Sequence, residues 1–238
     1  MNDVLEKKTD PHIEVSGLGC QRDERWLFRD MDWRVPRGKV VAVVGPSGVG
    51  KSSLLFCLAG LVAPASGQIT YRCTGGCSHA PDSFRVKLGF IYQDFRLVPN
   101  STLLSNVLCG KLGQRPWYKS IFGFPAEDRQ RAKELLASLG VSRHIYHYAG
   151  EVSGGEQQRA AIARALLQDP EVFLADEPVS QLDEPNARRV LDLFKNEAHT
   201  RGKTVLCTLH DQDLVEEYAD IVLRMSWKQP SQWKLEVR

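Results

Sequence analysis

Several clusters of residues, scattered along the chain, carry types and spacings suited to chemistry. The first runs through Gly45, Pro46, Ser47, Gly48, Val49, Gly50, Lys51, Ser52 and Ser53. Glycines at this density let backbone N–H groups converge on an anion. The full pattern, glycine-rich turn then lysine then hydroxyl, is that of a phosphate-binding loop. Lys51 is suited to neutralise β- and γ-phosphates, and Ser52 to place its hydroxyl on Mg2+. The second cluster is Asp176-Glu177, which follows an apolar run. Asp176 would hold Mg2+ directly or through water, and Glu177 would serve as general base for an attacking water. Gln93 and His210 each close an apolar segment. Gln93 is placed to reach the metal or the water, with a plain surface glutamine as the alternative. His210 is placed to bond a phosphate oxygen or orient the water, with a structural histidine as the alternative. Finally, Ser153, Gly154, Gly155 and Glu156 open a helical pattern. A hydroxyl, bare amides and a helix start again suit phosphate. A chain with one phosphate loop has little use for a second. The simplest expectation is that this set acts on nucleotide held by another chain.

These residues need a scaffold that delivers them to one edge. The β-branched run 39–44 predicts a central strand leading into the glycine loop, and 52–59 a helix leaving it. Further strand patterns fall at 12–15, 26–35, 68–71, 88–92, 171–175, 204–209 and 221–225. Helical patterns fall at 127–139, 156–167, 184–199 and 213–218. Alternation of this kind implies an α/β fold, a mainly parallel sheet with helices on both faces. We expect one nucleotide-binding domain over 12–225, with a small N-terminal antiparallel β portion and an inserted helical subdomain near 94–168. Residues 226–238 read as a short C-terminal tail.

Composition narrows the class. The 238 residues are 42% hydrophobic and 25% charged, enough for one sizeable core. Thirty-one basic and 29 acidic residues leave a net +2, which makes no basic field for nucleic acid. The first ten residues lack the apolar core of a signal peptide. No apolar run approaches the roughly 18 residues that span a bilayer. Any membrane association is therefore expected through a partner or a surface. Cys57 and Cys207 fall in predicted regular structure, where small buried thiols are ordinary. Cys73, Cys77 and His79 could form a metal fragment, but a closed zinc site needs four ligands, and a turn through Gly75-Gly76 is the alternative. Nothing calls for an oxidising compartment.

Together these features resemble the ATP-binding-cassette ATPases over essentially the entire chain. The stretch 45–53 is similar to that family's phosphate loop, and 172–178, Val-Phe-Leu-Ala-Asp-Glu-Pro, to its second metal-site motif. Gln93 resembles the Q-loop glutamine, Val152-Ser-Gly-Gly-Glu156 the signature motif, Ser180-Gln-Leu-Asp183 the D-loop, and His210 the switch histidine. The resemblance implies a P-loop NTPase-type fold, ATP and Mg2+ as ligands, and a head-to-tail dimer with two ATPs at its interface. Ser153 to Glu156 of one chain would then face the phosphate loop of the other, with Asp183 between the sites. A groove near Gln93 would receive a cytoplasmic helix of a membrane permease. That would hold the chain peripherally on the cytoplasmic face, with a solute-binding protein as an indirect partner. Three departures stand out: Val152 replaces the usual leucine, Ser53 the common threonine, and 20–24 offers no aromatic ring for adenine. Trp26 and Arg22 are the candidates in its place. Within the family, 89–98, 106–124, 174–179 and 217–220 resemble importer ATPases for phosphonate or phosphite. Residues 71–85 depart from that group, so importers of phosphate, polar amino acids or metal stay open, as does a lipoprotein-releasing or export role.

Overall fold

The computed structural model describes residues 11–72, 78–116, 123–226 and 229–238. Strands β1 (Pro11–Arg22) and β2 (Arg25–Pro36) form an antiparallel hairpin. With β4 (Ser66–Arg72) and β5 (Ser78–His79) they make an antiparallel sheet in the order β2-β1-β4-β5. This is the expected small β portion. β1 extends well past its predicted end because register shifts at 15–18 and beyond break the alternation that a sequence pattern needs. Cys73 and Cys77, weighed above as a metal fragment or a turn, lie outside the described residues. His79 is in β5, its ring 6.0 Å from that of Phe84.

The second sheet builds the site. β3 (Val40–Val44) is buried on every residue, as its uniformly apolar sequence demands. It lies between β8 (Thr204–Thr208) and β9 (Ile221–Met225), parallel to both. β7 (Val172–Ala175) and β6 (Leu88–Ile91) continue in parallel beyond β8. The order is β10-β9-β3-β8-β7-β6, and β10 (Trp233–Val237) is antiparallel to β9. The segment read as a tail thus carries an edge strand. Its alternation is short and half-exposed, so it left a weak signal.

Alternate residues of these strands feed two cores. Ala42, Phe173, Ala175, Val205 and Cys207 face one, with the helices α3 (Leu103–Leu108), α4 (Ala126–Ser138), α5 (Gly154–Gln168) and α6 (Glu184–His199) supplying partners such as Val107, Leu136, Ala160 and Phe194. Val41, Val43, Leu174 and Leu206 face the other, packed on the β1–β2 hairpin and on α1 (Lys51–Leu58). The short α2 (Pro81–Phe84) and α7 (Gln212–Tyr218) complete the helices named here. α3, α4 and α5 all lie between β6 and β7 in the chain. Buried aromatics such as Phe173 and Phe194 contribute roughly 1.5–3 kcal/mol each by leaving water. The two cores clamp the sheet, so the strand ends emerge as a rigid row.

Candidate functional site

That row, the C-terminal edge of β3, β6, β7 and β8, is where an open α/β sheet leaves its crevice. The turn from β3 into α1 is compressed. A Cβ on Gly45 would stand 2.7 Å from the Met225 carbonyl oxygen, and one on Gly50 3.1 Å from the Leu27 Cβ. Gly50 also holds φ 107°, which side-chain-bearing residues avoid. Pro46, Ser47 and Gly48 are exposed, while Val49 and Gly50 are buried. α1 has no side-chain cap and no acidic residue in its first turn. Its leading amides therefore meet no competing anion from their own helix, a donor arrangement that fits phosphate.

Lys51 is 7% exposed, and its Nζ donates to the carbonyls of Gly45 at 2.8 Å and Pro46 at 3.1 Å. Burial lowers its pKa, while the carboxylates of Glu177 and Asp176 work against that shift. The result is a buried cation held against neutral acceptors, beside the acidic pair. Ser52 and Ser53 follow it, both half-buried.

The acidic pair leaves β7. Asp176 is 4% exposed, and its Oδ1 accepts the Thr208 hydroxyl at 3.0 Å. Glu177 adopts φ +50°, an uncommon conformation for a residue with a side chain, and one that clusters at functional sites. Its surroundings hold it there. The Glu177 amide donates to Thr208 Oγ1 at 2.6 Å, and its carbonyl accepts from Gln158 Nε2 at 2.9 Å. Its carboxylate is the meeting point of the edge: Gln93 Nε2 donates to Oε2 at 3.3 Å, and His210 Nε2 lies 2.9 Å from Oε1. Gln93, Glu177 and His210, three separate expectations from sequence, are thus one cluster. A cavity of about 450 Å3 opens beside it, lined by Glu177, Thr208, His210 and Asp211.

Two contributors were not singled out from sequence. Thr208 bridges Asp176 and Glu177, and its signal was a threonine two residues before His210 in an apolar strand. Gln158, 1% exposed on α5, bonds the Glu177 carbonyl and accepts from the Gln181 amide at 3.2 Å. It ties the signature helix to the loop after β7.

The second glycine element stays apart. Ser153 caps α5, and no hydrogen bond among the described residues joins 153–156 to 45–53. Its amide and hydroxyl donate to Glu156 Oε2 at 2.9 and 2.7 Å. Asp183 caps α6, accepting from the Asn186 amide at 3.1 Å. Neither adenine candidate is committed to a stack. Arg22 is highly exposed beside Asp23, and the Trp26 ring covers Gly19, where a Cβ would come within 2.7 Å of it.

Residues 28–180 match the family model described as ABC transporter. Phosphonates import ATP-binding protein PhnC of Caulobacter vibrioides is 40% identical over 225 residues, 91% of this chain and 85% of that protein. PhnC 2 of Oceanobacillus iheyensis is 34% identical over 216 residues, 89% of this chain and 85% of that one. The post-hydrolysis dimeric structure of the ATP-binding cassette MJ0796 with ADP and Pi has a TM-score of 0.80 at 27% identity, covering 94% of this chain and 98% of its own. An inward-facing putative metal-chelate type ABC transporter gives a TM-score of 0.78 at 27% identity, over 96% of this chain and 84% of that one. Matched through the phosphate loop and the acidic strand, and along most of each relative, the chain belongs to the ABC transporter family and is one of its ATP-hydrolysing subunits.

Proposed function

We propose that this subunit energises uptake of phosphonate or phosphite through a membrane permease, acting as a head-to-tail dimer with ATP at the interface. The observation that carries the hydrolytic part is the convergence of Gln93 and His210 on the Glu177 carboxylate, beside buried Asp176 and Lys51. In this reading Lys51, Ser53 and the backbone N–H groups of Gly45 and of Ser47 to Ser52 hold the phosphates. Glu177 takes the proton of the attacking water, and His210 orients that water or the γ-phosphate. Ser52, Asp176 and Gln93 would hold Mg2+, which supplies charge neutralisation on the phosphate oxygens. The donor set suits it: a hydroxyl, a buried carboxylate and a carboxamide oxygen are hard ligands, and Gln93 engages Glu177 through nitrogen.

Ser153, Gly154, Gly155 and Glu156 would face ATP bound by the partner chain. ATP then acts as adhesive between subunits, and hydrolysis removes the contact that closes them. Ser153→Arg is expected to stop hydrolysis while leaving ATP binding to the monomer in place; lost monomer binding would contradict the shared site. A groove of about 490 Å3 lined by Phe90, Tyr92, Arg96, Cys109, Arg164 and Gln168 supports permease docking between β6 and the helical layer. No helix among the described residues is long and apolar enough to cross a membrane, so attachment would run through that groove.

The solute reading rests on the relatives' names and on the resemblance of 89–124 to phosphonate importers. Its test is ATPase activity of the reconstituted transporter with its binding protein, comparing phosphonates, phosphite and phosphate. Stimulation by phosphonate or phosphite is expected. Preferential stimulation by phosphate, or by none of the three, removes the assignment.

A further inference from the structure

The signature segment contains an anion of its own. The Glu156 carboxylate sits in the first turn of α5, with Oε2 on the Ser153 amide and hydroxyl. Its other oxygen, Oε1, lies 2.5 Å from His144 Nδ1. Burial raises the Glu156 pKa, but the Ser153 donors, His144 and Arg159 outweigh it and keep the group below the usual carboxylate range. A charged carboxylate therefore occupies the helix start that would receive a partner's γ-phosphate, and like charges at one helix start repel. It also holds the Ser153 hydroxyl proton, which phosphate would need.

His144 comes from outside the signature segment, on the short turn Ser142–His144 before it. That turn is fixed by the His144 amide on the Val141 carbonyl at 3.1 Å and by the His147 amide on the His144 carbonyl at 3.0 Å. The titratable and charged groups facing the pair are His147, whose ring meets that of His144 edge-on at 5.0 Å, and Arg159.

We propose that His144 is a positioning residue for the shared nucleotide site, acting through Glu156. Its Nδ1 contact with Oε1 gives the carboxylate a partner outside the signature segment, on the 142–144 turn. When the partner's phosphate arrives, Glu156 keeps that contact while Oε2 releases the Ser153 amide and hydroxyl, which then donate to the phosphate. This rests on the shared-site reading above.

The test is steady-state ATPase of the full-length chain, with ATP varied. His144→Ala raises the half-saturating ATP concentration fivefold or more, with kcat within twofold. Adding Glu156→Gln, which removes the carboxylate charge from the helix start, lowers that concentration at least threefold again. If His144→Ala melts below the assay temperature, His144→Asn is read in its place. Its amide donor keeps half-saturation within twofold of the parent, and a fivefold rise there overturns the proposal. An unchanged half-saturation in His144→Ala, or a rise that Glu156→Gln does not reverse, also overturns it. Ser153→Arg separates the two ideas: hydrolysis surviving that change removes the shared site itself, whatever His144 does.

Discussion

Thr208→Val tests how the strand-end cluster around Glu177 is held together. Valine keeps the shape of threonine and deletes a hydroxyl that serves two neighbours in a fully buried position. The Glu177 amide, 2.6 Å from that oxygen, loses its acceptor, and Asp176 loses a donor at 3.0 Å. A stranded buried amide costs about 1–3 kcal/mol, and a hydrogen bond to a charged group is worth a similar amount. Some of this is recovered because Glu177 at φ +50° stores about 1 kcal/mol that relaxation releases. The net expectation is roughly 2–4 kcal/mol of lost stability, or a Tm lower by about 5–15 °C for a domain of this size. Relaxation moves the Glu177 carboxylate away from Gln93 and His210, and a displacement of about 1 Å costs on the order of 100-fold in turnover. Thermal melts and steady-state ATPase on the same preparations read both quantities. Thr208→Ser keeps the hydroxyl and is expected to recover most of the turnover. A valine variant that melts within about 2 °C of the parent and hydrolyses ATP comparably would refute the bridge.

Three further outcomes are expected. Glu177→Gln should lower turnover by about 10²–10⁴-fold while ATP still binds and a closed dimer accumulates, seen by size-exclusion chromatography; hydrolysis at the parent rate would remove the general-base role. Gly45→Ala puts a Cβ 2.7 Å from the Met225 carbonyl and should weaken ATP binding by about tenfold or more in a nucleotide titration, a parent-like affinity being the contrary result. His12 is fully buried, and burial, then Arg37, lowers its pKa from 6.5 to about 4. Because the folded value is the lower one, the unfolded chain binds more protons: stability is complete above about 6.5 and falls by up to roughly 3 kcal/mol as pH drops to 4. Urea melts from pH 7 to 4.5 should show that fall flattened in His12→Asn, and an equal slope in both proteins would contradict it.

How much of this could be read from residues alone depended on the kind of information involved. Contiguous pattern carried well: the glycine loop, the apolar strands and the amphipathic stripe of α6 are local, so β3, β7 and α6 fell near their predicted places. Positions tied to a strand end also carried over, because a parallel sheet puts those ends on one edge. That is why Gln93, Glu177 and His210 converge. Partners joined only through folding did not show. Nothing in the spacing of Thr208 and Asp176, or of Gln158 and Glu177, distinguishes them from unrelated polar residues, since each pair meets across strands or across a helix and a loop. β10 was missed for a related reason. As an exposed edge it needs only one decent face, and its five residues alternate too briefly to register.

The place of β3 in its sheet has a consequence for synthesis. It lies between β8 and β9, so its two neighbours come from residues 204–225, long after residues 40–44. The Met225 carbonyl that crowds Gly45 arrives last among them. A ribosome that has released the phosphate loop has therefore released a bare apolar strand with both edges open, and no sheet to receive it until nearly the whole domain has followed. Long-range pairing of this kind is slow and leaves the nascent chain open to aggregation. Ribosome-bound chains halted before residue 204 would be clients for chaperones rather than nucleotide binders, and ATP would first find a site only when the final parallel strands lock in.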